Sequence, residues 1–324
     1  MTTFEMRALG HSGIHVTPVA MGCWPIAGMT SIDVNDADSL RTLQAALDAG
    51  VNFFDTAFGY GVDGESERLI AQAFQGKREQ VVLATKCGMH WDANRQRVVD
   101  GSPQRIRQQV DESLRRLATD RVELLYLHMP DPQVPVEESA AALGEILQAG
   151  KARAIGVSNF SIAQLEAFHR VCPIAACQPH YNMLQREIEA DIIPWCQQQQ
   201  VAVVSYWPLM KGLLAGKLPR DHVFDPQDGR KKYPMFQGAE WEKNQDFVDA
   251  LRSIATEADK TVAQVVVNWT CHRPGITSVL CGAKRAYQIE ETAASMGWQL
   301  SDDQLARIEQ AMKERGTPVT RSAV

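Results

Sequence analysis

Residues 81–128 read VVLATKCGMHWDANRQRVVDGSPQRIRQQVDESLRRLATDRVELLYLH. The stretch opens and closes with the apolar runs Val81–Lys86 and Glu123–His128, as expected for strands buried on both faces of a parallel sheet. Between them, Ser102 followed by Pro103 is typical of an N-cap with proline at the first helical position, and predicts a helix through Leu117. This order of strand, helix and strand predicts one βα repeat of a parallel sheet.

The same alternation recurs along the chain about every 30 residues, the length of one such unit. The eight predicted strands are Val19–Gly22, Asn52–Asp55, Val81–Lys86, Glu123–His128, Ala154–Ser158, Ala175–Gln178, Ala202–Tyr206 and Ser278–Gly282. Eight units without a break in composition predict an α/β fold, a closed (β/α)8 TIM barrel that spans residues 1–324 as a single domain.

Three segments lie outside this repeat. Residues 1–17 predict an N-terminal hairpin, and residues 301–314 predict a C-terminal helix. Residues 218–242 predict a long loop after the seventh strand, which we interpret as an active-site lid in preference to a disordered insertion.

Composition narrows the class of protein. The 324 residues include 33 Lys and Arg against 39 Asp and Glu, a net charge of −6 that argues against a nucleic-acid partner. Seven scattered cysteines without a CxxC pair indicate reduced thiols and no zinc site, as in a cytoplasmic protein. No signal peptide is expected, and no apolar stretch reaches the roughly 18 residues of a membrane span, so no membrane association is expected.

Four polar residues stand at or just past the ends of three of the apolar runs: Asp55, Tyr60, Lys86 and His128. A phenol next to an ammonium can donate a proton near neutral pH, because the positive charge is expected to lower the phenol pKa. A carboxylate can keep that ammonium charged, and an imidazole can orient a carbonyl oxygen beside the phenol. The alternative is a purely structural salt bridge between Asp55 and Lys86 inside a barrel.

Residues 59–64, Gly-Tyr-Gly-Val-Asp-Gly, match the dinucleotide motif G-x-G-x-x-G. That motif requires an acidic residue at the end of the next strand to bind a ribose, and here the next strand ends in Lys86. We therefore interpret these glycines as a turn that presents Tyr60 over the barrel mouth, not as a Rossmann fingerprint.

The chain resembles the aldo-keto reductase superfamily. The segments that carry the resemblance are NFFDTAFGY (52–60), GESERL (64–69), ATKCG (84–88), VDESLRRL (110–117), VELLYLHMPDP (122–132), IGVSNF (155–160), QPHYN (178–182), YWPLMKGLLAGK (206–217) and SVLCGAKRAYQ (278–288). The resemblance implies a (β/α)8 barrel with NADPH extended across its C-terminal face.

By position, the resemblance implies that Tyr60 is the general acid, tuned by Lys86 and Asp55, with His128 positioning the carbonyl. The cofactor-binding residues that it implies are Gly22, Trp24, Asp55, Ser158, Asn159, Gln178, Tyr206, Trp207, Pro208, Leu209, Gly212, Lys217, Gly282, Lys284, Arg285, Gln288 and Glu291. Of these, Ser158, Asn159 and Gln178 resemble residues that hold the nicotinamide carboxamide, and Tyr206 resembles the aromatic residue that stacks on that ring. The substrate-binding residues are expected to be Trp24, Tyr60, Trp91, His128 and Met129.

Lys284 and Arg285 follow the last predicted strand and open a helix, an arrangement that suits a phosphate. We interpret this pair as binding the 2′-phosphate, which predicts NADPH in preference to NADH; the alternative is a solvated surface pair. Met129, Trp207 and Thr292 depart from the residues that are frequent in the family, which are Trp, Ser and Asn respectively.

The sequence thus predicts NADPH-dependent reduction of a small aldehyde or ketone, and it leaves the natural substrate and the oligomeric state open. One alternative is the reverse reaction, a sugar or alcohol dehydrogenase; another is a redox-sensing, cofactor-binding subunit with little turnover. A lyase that forms a Schiff base on Lys86 is a third. A metal hydrolase is disfavoured, because His128 and His180 alone do not make a metal site.

Overall fold

The structure is a computed structural model and describes residues 4–29 and 32–319. Its centre is a closed barrel of eight parallel strands, β3–β5 and β8–β12, in which strands consecutive in the chain are neighbours in space. These are β3 (Val19–Gly22), β4 (Phe53–Asp55), β5 (Val82–Cys87), β8 (Leu124–Leu127), β9 (Ile155–Ser158), β10 (Ala176–Gln178), β11 (Ala202–Ser205) and β12 (Ile276–Gly282). The predicted fold class is confirmed, and each barrel strand lies within two residues of its predicted bounds.

Helices surround the barrel. They are α1 (Asp36–Asp48), α2 (Glu65–Ala73), α3 (Pro103–Arg116), α4 (Val136–Gln148), α5 (Ile162–Val171), α6 (Ile192–Gln198), α7 (Gly238–Glu257), α8 (Val262–Cys271), α9 (Ala286–Ala293) and α10 (Asp302–Arg315). Ser102 caps α3 by accepting a hydrogen bond from the backbone of Arg105, as its sequence predicts. The predicted C-terminal helix is α10.

Two small antiparallel hairpins lie outside the barrel. Strands β1 (Arg7–Ala8) and β2 (His15–Val16) form the predicted N-terminal hairpin, of which residues 1–3 lie outside the described part of the chain. A Cβ at Gly10 would lie 2.3 Å from the Ala175 carbonyl oxygen, so this hairpin packs directly on the N-terminal ends of the barrel strands. The second hairpin, β6 (Met89–Trp91) and β7 (Arg97–Val99), was not predicted.

The segment after β11 is more ordered than a simple loop. Residues 218–242 include two short 3-10 helices, Gly229–Lys232 and Pro234–Phe236, and α7 begins at Gly238. The five residues 238–242, predicted as loop, therefore belong to α7; the prediction was wrong there because apolar positions such as Trp241 are few in the first turn of this helix.

Burial divides the core into two layers. Ala20, Phe53, Ala84 and Leu124 fill the barrel interior, while a larger cluster lies between strands and helices. Because parallel strands are buried on both faces, their side chains are mostly apolar. All eight carboxyl ends meet at one rim, which is where ligands bind in barrels of this kind.

Candidate active site

A buried ion pair forms the base of the site. Asp55 ends β4 in register with Ala84 of β5, and Lys86 lies two residues further along β5, on the same face of the sheet. Because Ala84 points into the barrel interior, Lys86 does so too, and its ammonium contacts the Asp55 carboxylate. Both side chains are only 1% exposed, so water screens this pair very little.

The Lys86 ammonium uses all three of its hydrogens. It donates to Asp55 Oδ1, to the Thr56 carbonyl oxygen at 2.8 Å and to the Tyr60 hydroxyl oxygen at 3.1 Å. Burial alone would lower the pKa of Lys86, but the charge of Asp55 and the contact with Tyr60 outweigh burial and raise it. The amine therefore stays protonated, with each hydrogen in a fixed direction.

A glycine turn presents Tyr60 to the mouth of the barrel. Gly61 has φ +105°, and a Cβ there would lie 1.9 Å from the Glu65 carboxylate, so only glycine fits. Gly64 is also left-handed and immediately precedes α2. These glycines form a turn, as the sequence analysis interpreted them.

The acidity of Tyr60 differs from the sequence prediction. Burial raises the pKa of the Tyr60 phenol above its ordinary value, and the positive charge of Lys86 lowers it only in part. The predicted net lowering was wrong, because a sequence shows the neighbouring charge but not the loss of water around the hydroxyl. The phenol is therefore fully protonated at neutral pH.

His128 follows β8 directly, and its backbone amide donates to the Cys87 carbonyl oxygen at 2.9 Å. Its ring meets the Tyr60 ring edge-on, with centroids 5.8 Å apart. Burial, followed by the charge of Lys86, holds the pKa of His128 well below its usual range, so the imidazole is neutral. Its buried Nδ1 has no hydrogen-bond partner among the described residues, and the ring can serve a ligand.

Gln178 has a role that the sequence did not suggest. Its Nε2 donates to Asp55 Oδ2 at 2.8 Å, so the second oxygen of this carboxylate is also held. A nicotinamide contact was expected here, and the carboxamide nitrogen is instead bonded within the buried pair. The only indication of this role in the sequence was that Gln178 is a polar residue at the end of an apolar strand.

A second polar cluster follows β9. Asn159 has a left-handed backbone, φ +64°, and donates to the His128 carbonyl oxygen and to Ser158 Oγ, each at 3.1 Å. The Tyr206 hydroxyl donates to Asn159 Oδ1 at 2.7 Å. Ser158, Asn159, Gln178 and Tyr206, which were predicted together, thus lie in one connected group beside the ion pair.

The loop after β11 is strained. Trp207, Met210 and Lys211 have φ values of +62°, +47° and +57°, and Gly212 follows at +91°. Non-glycine residues adopt this region rarely, and such clusters occur at ligand clamps. Pro208 and Leu209 lie within the same turn, and Lys211 stands over the Trp207 ring at 4.3 Å. At the end of this loop, the Lys217 ammonium forms an ion pair with the Glu291 carboxylate of α9 at 2.5 Å.

The remaining predicted cofactor residues lie around β3, β12 and α9. Gly22 and Gly282 are paired neighbours, and a Cβ at Gly282 would lie 3.0 Å from Pro25. The Lys284 ammonium donates to the Ile32 carbonyl oxygen at 2.9 Å, and Arg285 donates to the Asp33 carbonyl oxygen at 2.6 Å. Gln288 Oε1 accepts from the backbone amides of both residues 284 and 285, which closes the first turn of α9.

Aromatic side chains line the mouth. The Trp24 ring meets Tyr60 edge-on at 4.9 Å, and the Trp91 indole donates to the Gly59 carbonyl oxygen at 2.8 Å. Met129 is buried next to His128. The expected substrate residues Trp24, Trp91 and Met129 therefore lie next to the tetrad of Asp55, Tyr60, Lys86 and His128.

Residues 4–29 and 32–319 contain no group of three or more His, Cys, Asp or Glu side chains that could hold a metal ion. None of their helices has the length and apolarity needed to cross a bilayer. The seven cysteines are buried free thiols.

Comparison with known proteins decides the family. Residues 18–313 match the sequence pattern of the Aldo/keto reductase family. The chain belongs to this family. It is an oxidoreductase of the aldo-keto reductase type, and is 38% identical over 304 residues to the aldo-keto reductase YhdN of Bacillus subtilis, with 93% of this chain and 91% of the relative covered. It is 30% identical to an NADH-specific methylglyoxal reductase of Escherichia coli, with 91% and 94% covered.

Solved structures show the same barrel. The glycerol dehydrogenase AKR11B4 from Gluconobacter oxydans is 34% identical to this aldo-keto reductase and superimposes with a TM-score of 0.90 over 100% of both chains. An aldo/keto reductase from Klebsiella pneumoniae, solved in complex with NADP and acetate, is 25% identical with a TM-score of 0.74 over 98% of this chain and 97% of that one. Relatives of this chain thus include a protein that binds NADP.

The residues of this aldo-keto reductase fit such a dinucleotide. At one end, the unpartnered Nδ1 of His128 suits a polar ring, beside the bonded amides of Asn159 and Gln178. At the other end, the left-handed turn at residues 207–212 and the cations Lys217, Lys284 and Arg285 suit phosphates. The residues present therefore suit a polar ring at one end and phosphates at the other.

Proposed function

We propose that this aldo-keto reductase reduces a small aldehyde or ketone with NADPH, and that Tyr60 is the general acid. One observation carries the proposal: the Tyr60 oxygen accepts a hydrogen bond from Lys86 at 3.1 Å. A hydroxyl that accepts from an ammonium keeps its own hydrogen free for a third group. That group is the carbonyl oxygen of the substrate at the barrel mouth.

The chemistry follows from the charges. When bound, a nicotinamide dinucleotide would supply the hydride, and negative charge would then develop on the carbonyl oxygen. The Tyr60 proton moves to that oxygen, and the Lys86 ammonium stabilises the phenolate that remains. His128 is neutral and can donate one ring N–H to the same oxygen. Asp55, held by Gln178, keeps Lys86 charged and positioned.

For the cofactor, we infer that Ser158 and Asn159 bind the carboxamide and that Tyr206 stacks on the nicotinamide ring. The turn from Trp207 to Gly212 binds the pyrophosphate together with Lys217. The ion pair between Lys217 and Glu291 connects this turn to α9. We infer that it holds the two segments together over the bound dinucleotide.

Lys284 and Arg285 are assigned to the 2′-phosphate. Both donate to backbone carbonyl oxygens of residues 32 and 33. A guanidinium has five N–H donors, and a phosphate competes well for those that remain. This assignment predicts a preference for NADPH, in contrast to the NADH-specific relative from Escherichia coli.

Loss of nicotinamide absorbance provides the test. The purified protein is incubated with a panel of aldehydes, ketones and sugars, first with NADPH and then with NADH. We expect turnover of at least one carbonyl substrate and a higher kcat/KM for NADPH. Equal values for the two cofactors would refute the phosphate assignment. Tight NADPH binding without turnover of any substrate would instead support the redox-sensing subunit.

The reverse direction is a second candidate, favoured by one observation. The structure with a TM-score of 0.90 is named a glycerol dehydrogenase. In that direction the Tyr60 phenolate accepts the alcohol proton, and the same ammonium lowers the cost of the anion. Adding glycerol and simple sugars with NADP+ at alkaline pH distinguishes the two directions by their relative kcat/KM.

A further inference from the structure

The hairpin of β6 and β7 continues directly from β5, which carries Lys86. Its register pairs Trp91 with Arg97 and His90 with Val98. Directly paired residues of antiparallel strands point to the same face, and successive residues point to opposite faces. One face of the hairpin therefore carries Trp91 and Arg97, and the other carries His90 and Val98.

Contacts identify which face points to the active site. The Trp91 indole donates to the Gly59 carbonyl oxygen at 2.8 Å, and the end of Met89 lies against Gly59. Gly59 immediately precedes Tyr60, so the face with Trp91 and Arg97 is directed towards the catalytic phenol. The opposite face points away, since His90 lines a separate cavity of about 400 Å3 with Asp100 and Arg105.

Arg97 is exposed, and its guanidinium forms no ion pair or hydrogen bond within residues 4–29 and 32–319. The carboxylates of its own hairpin are used elsewhere. Asp92 Oδ1 accepts from the backbone amides of Asn94 and Gln96, each at 2.8 Å, and Asp100 Oδ1 accepts from that of Ser102 at 3.1 Å. The positive charge is thus available to a ligand.

The charge of Arg97 reaches the catalytic centre. The pKa of His128 is lowered mainly by burial and by the charge of Lys86. The positive charge of Arg97 also lowers it, to a smaller extent. Arg97 thus shares the hairpin face that carries Trp91, and its charge acts on the imidazole of His128.

We propose that Arg97 is a specificity-determining residue that selects carbonyl substrates with an anionic group, a carboxylate or a phosphate, at the end remote from the carbonyl. The proposal rests on the proposed function. With the carbonyl oxygen between Tyr60 and His128, the body of the substrate lies along the Trp91 ring. Its anionic end then meets the planar guanidinium, which binds such groups through two parallel hydrogen bonds.

The test compares two substrates of similar shape, 4-carboxybenzaldehyde and its methyl ester. For the wild-type protein we expect a higher kcat/KM for the carboxylate, an advantage that fades towards about 1 M salt, where charges are screened within about 3 Å. Arg97→Gln is expected to lower kcat/KM for the carboxylate about fivefold, the upper range of a partly exposed ion pair. The ester should change less than about twofold, since it makes no ion pair.

Arg95→Asn is the matched control, because it removes one positive charge from the turn of the same hairpin. Arg95 has φ +58°, a conformation that asparagine tolerates. We expect this variant to behave as wild type towards both substrates. An equal loss with both variants would show a general field effect, and an unchanged substrate ratio in Arg97→Gln would also overturn the proposal.

A binding measurement keeps the two proposals distinguishable. Terephthalate, a dicarboxylate of the same shape, is titrated calorimetrically into the protein saturated with NADP+. Weaker binding to Arg97→Gln, by about fivefold, supports the anion site even if neither aldehyde is turned over. In that case the proposed reduction fails and the site remains. Equal binding to both proteins would overturn the role of Arg97 independently of turnover.

Discussion

Replacing Tyr60 with Phe removes one oxygen atom and tests the proposed general acid directly. The ring remains, together with its edge-on contacts to Trp24 at 4.9 Å and His128 at 5.8 Å. The Lys86 ammonium loses one of three acceptors and keeps Asp55 and the Thr56 carbonyl oxygen. The substitution therefore changes the proton donor and little else.

The structure sets the expected sizes of the effects. Loss of one internal hydrogen bond, with both other partners of Lys86 retained, should lower the free energy of unfolding by about 0.5–1.5 kcal/mol. Loss of a positioned general acid should lower kcat by about 10²- to 10⁴-fold. Because His128 still donates to the developing oxyanion, some rate enhancement should remain. Affinity for NADPH should be nearly unchanged.

The assay measures kcat with the best aldehyde of the panel, the dissociation constant of NADPH by fluorescence, and stability in urea. Tyr126→Phe is the matched control: Tyr126 is fully buried and its ring lies 6.0 Å from the same ammonium. This control should keep the kcat of the wild type. If Tyr60→Phe retained more than about a tenth of wild-type kcat, the assignment of the acid would be refuted.

The other predictions concern the ion pair and pH. Lys86→Met leaves the Asp55 carboxylate buried without its cationic partner and with only the hydrogen bond from Gln178, and should lower the free energy of unfolding by about 3–5 kcal/mol in urea titrations. Asp55→Leu in the same chain should recover part of this loss, and no recovery would contradict the buried pair. For carbonyl reduction, kcat/KM should be flat from about pH 7 to about pH 9 and fall above about pH 10, because the raised pKa of Tyr60 keeps its proton in place until alkaline pH. A fall centred near pH 6.5 would instead show that His128 titrates there, against its lowered pKa.

Much of the fold could be predicted because each barrel strand is a short apolar run that ends in a turn or a polar residue. The hairpin of β6 and β7 was missed although its sequence contains a signal: Met89–Trp91 and Arg97–Val99 flank the turn residues Asp92 and Asn94. Such short strands lack a buried face of their own, so alternation is weak. Helix α8 was also missed, since its nine buried residues leave no polar face to mark a period.

The candidate site also has features that could be predicted from the sequence and features that could not. The tetrad could be found from the sequence because its four residues stand at strand ends, and parallel strands bring those ends to one rim. The contact from Gln178 to Asp55 spans 123 residues and depends on how the barrel closes, which no local pattern specifies. The direction of the Tyr60 pKa shift was predicted wrongly for a related reason. The spacing of residues in the sequence indicates that Lys86 is a neighbour of the phenol, but it does not indicate how deeply the phenol is buried.

By itself, the sequence determined the barrel, the residues at its carboxyl ends and the chemical types that meet there, because periodicity and strand order are local properties. Only the tertiary structure decided how far water is excluded from Asp55 and Lys86, where each hydrogen of the ammonium points, and that Arg97 shares a hairpin face with Trp91. Those properties depend on atoms brought together from distant parts of the chain, and electrostatic interactions are set by that packing.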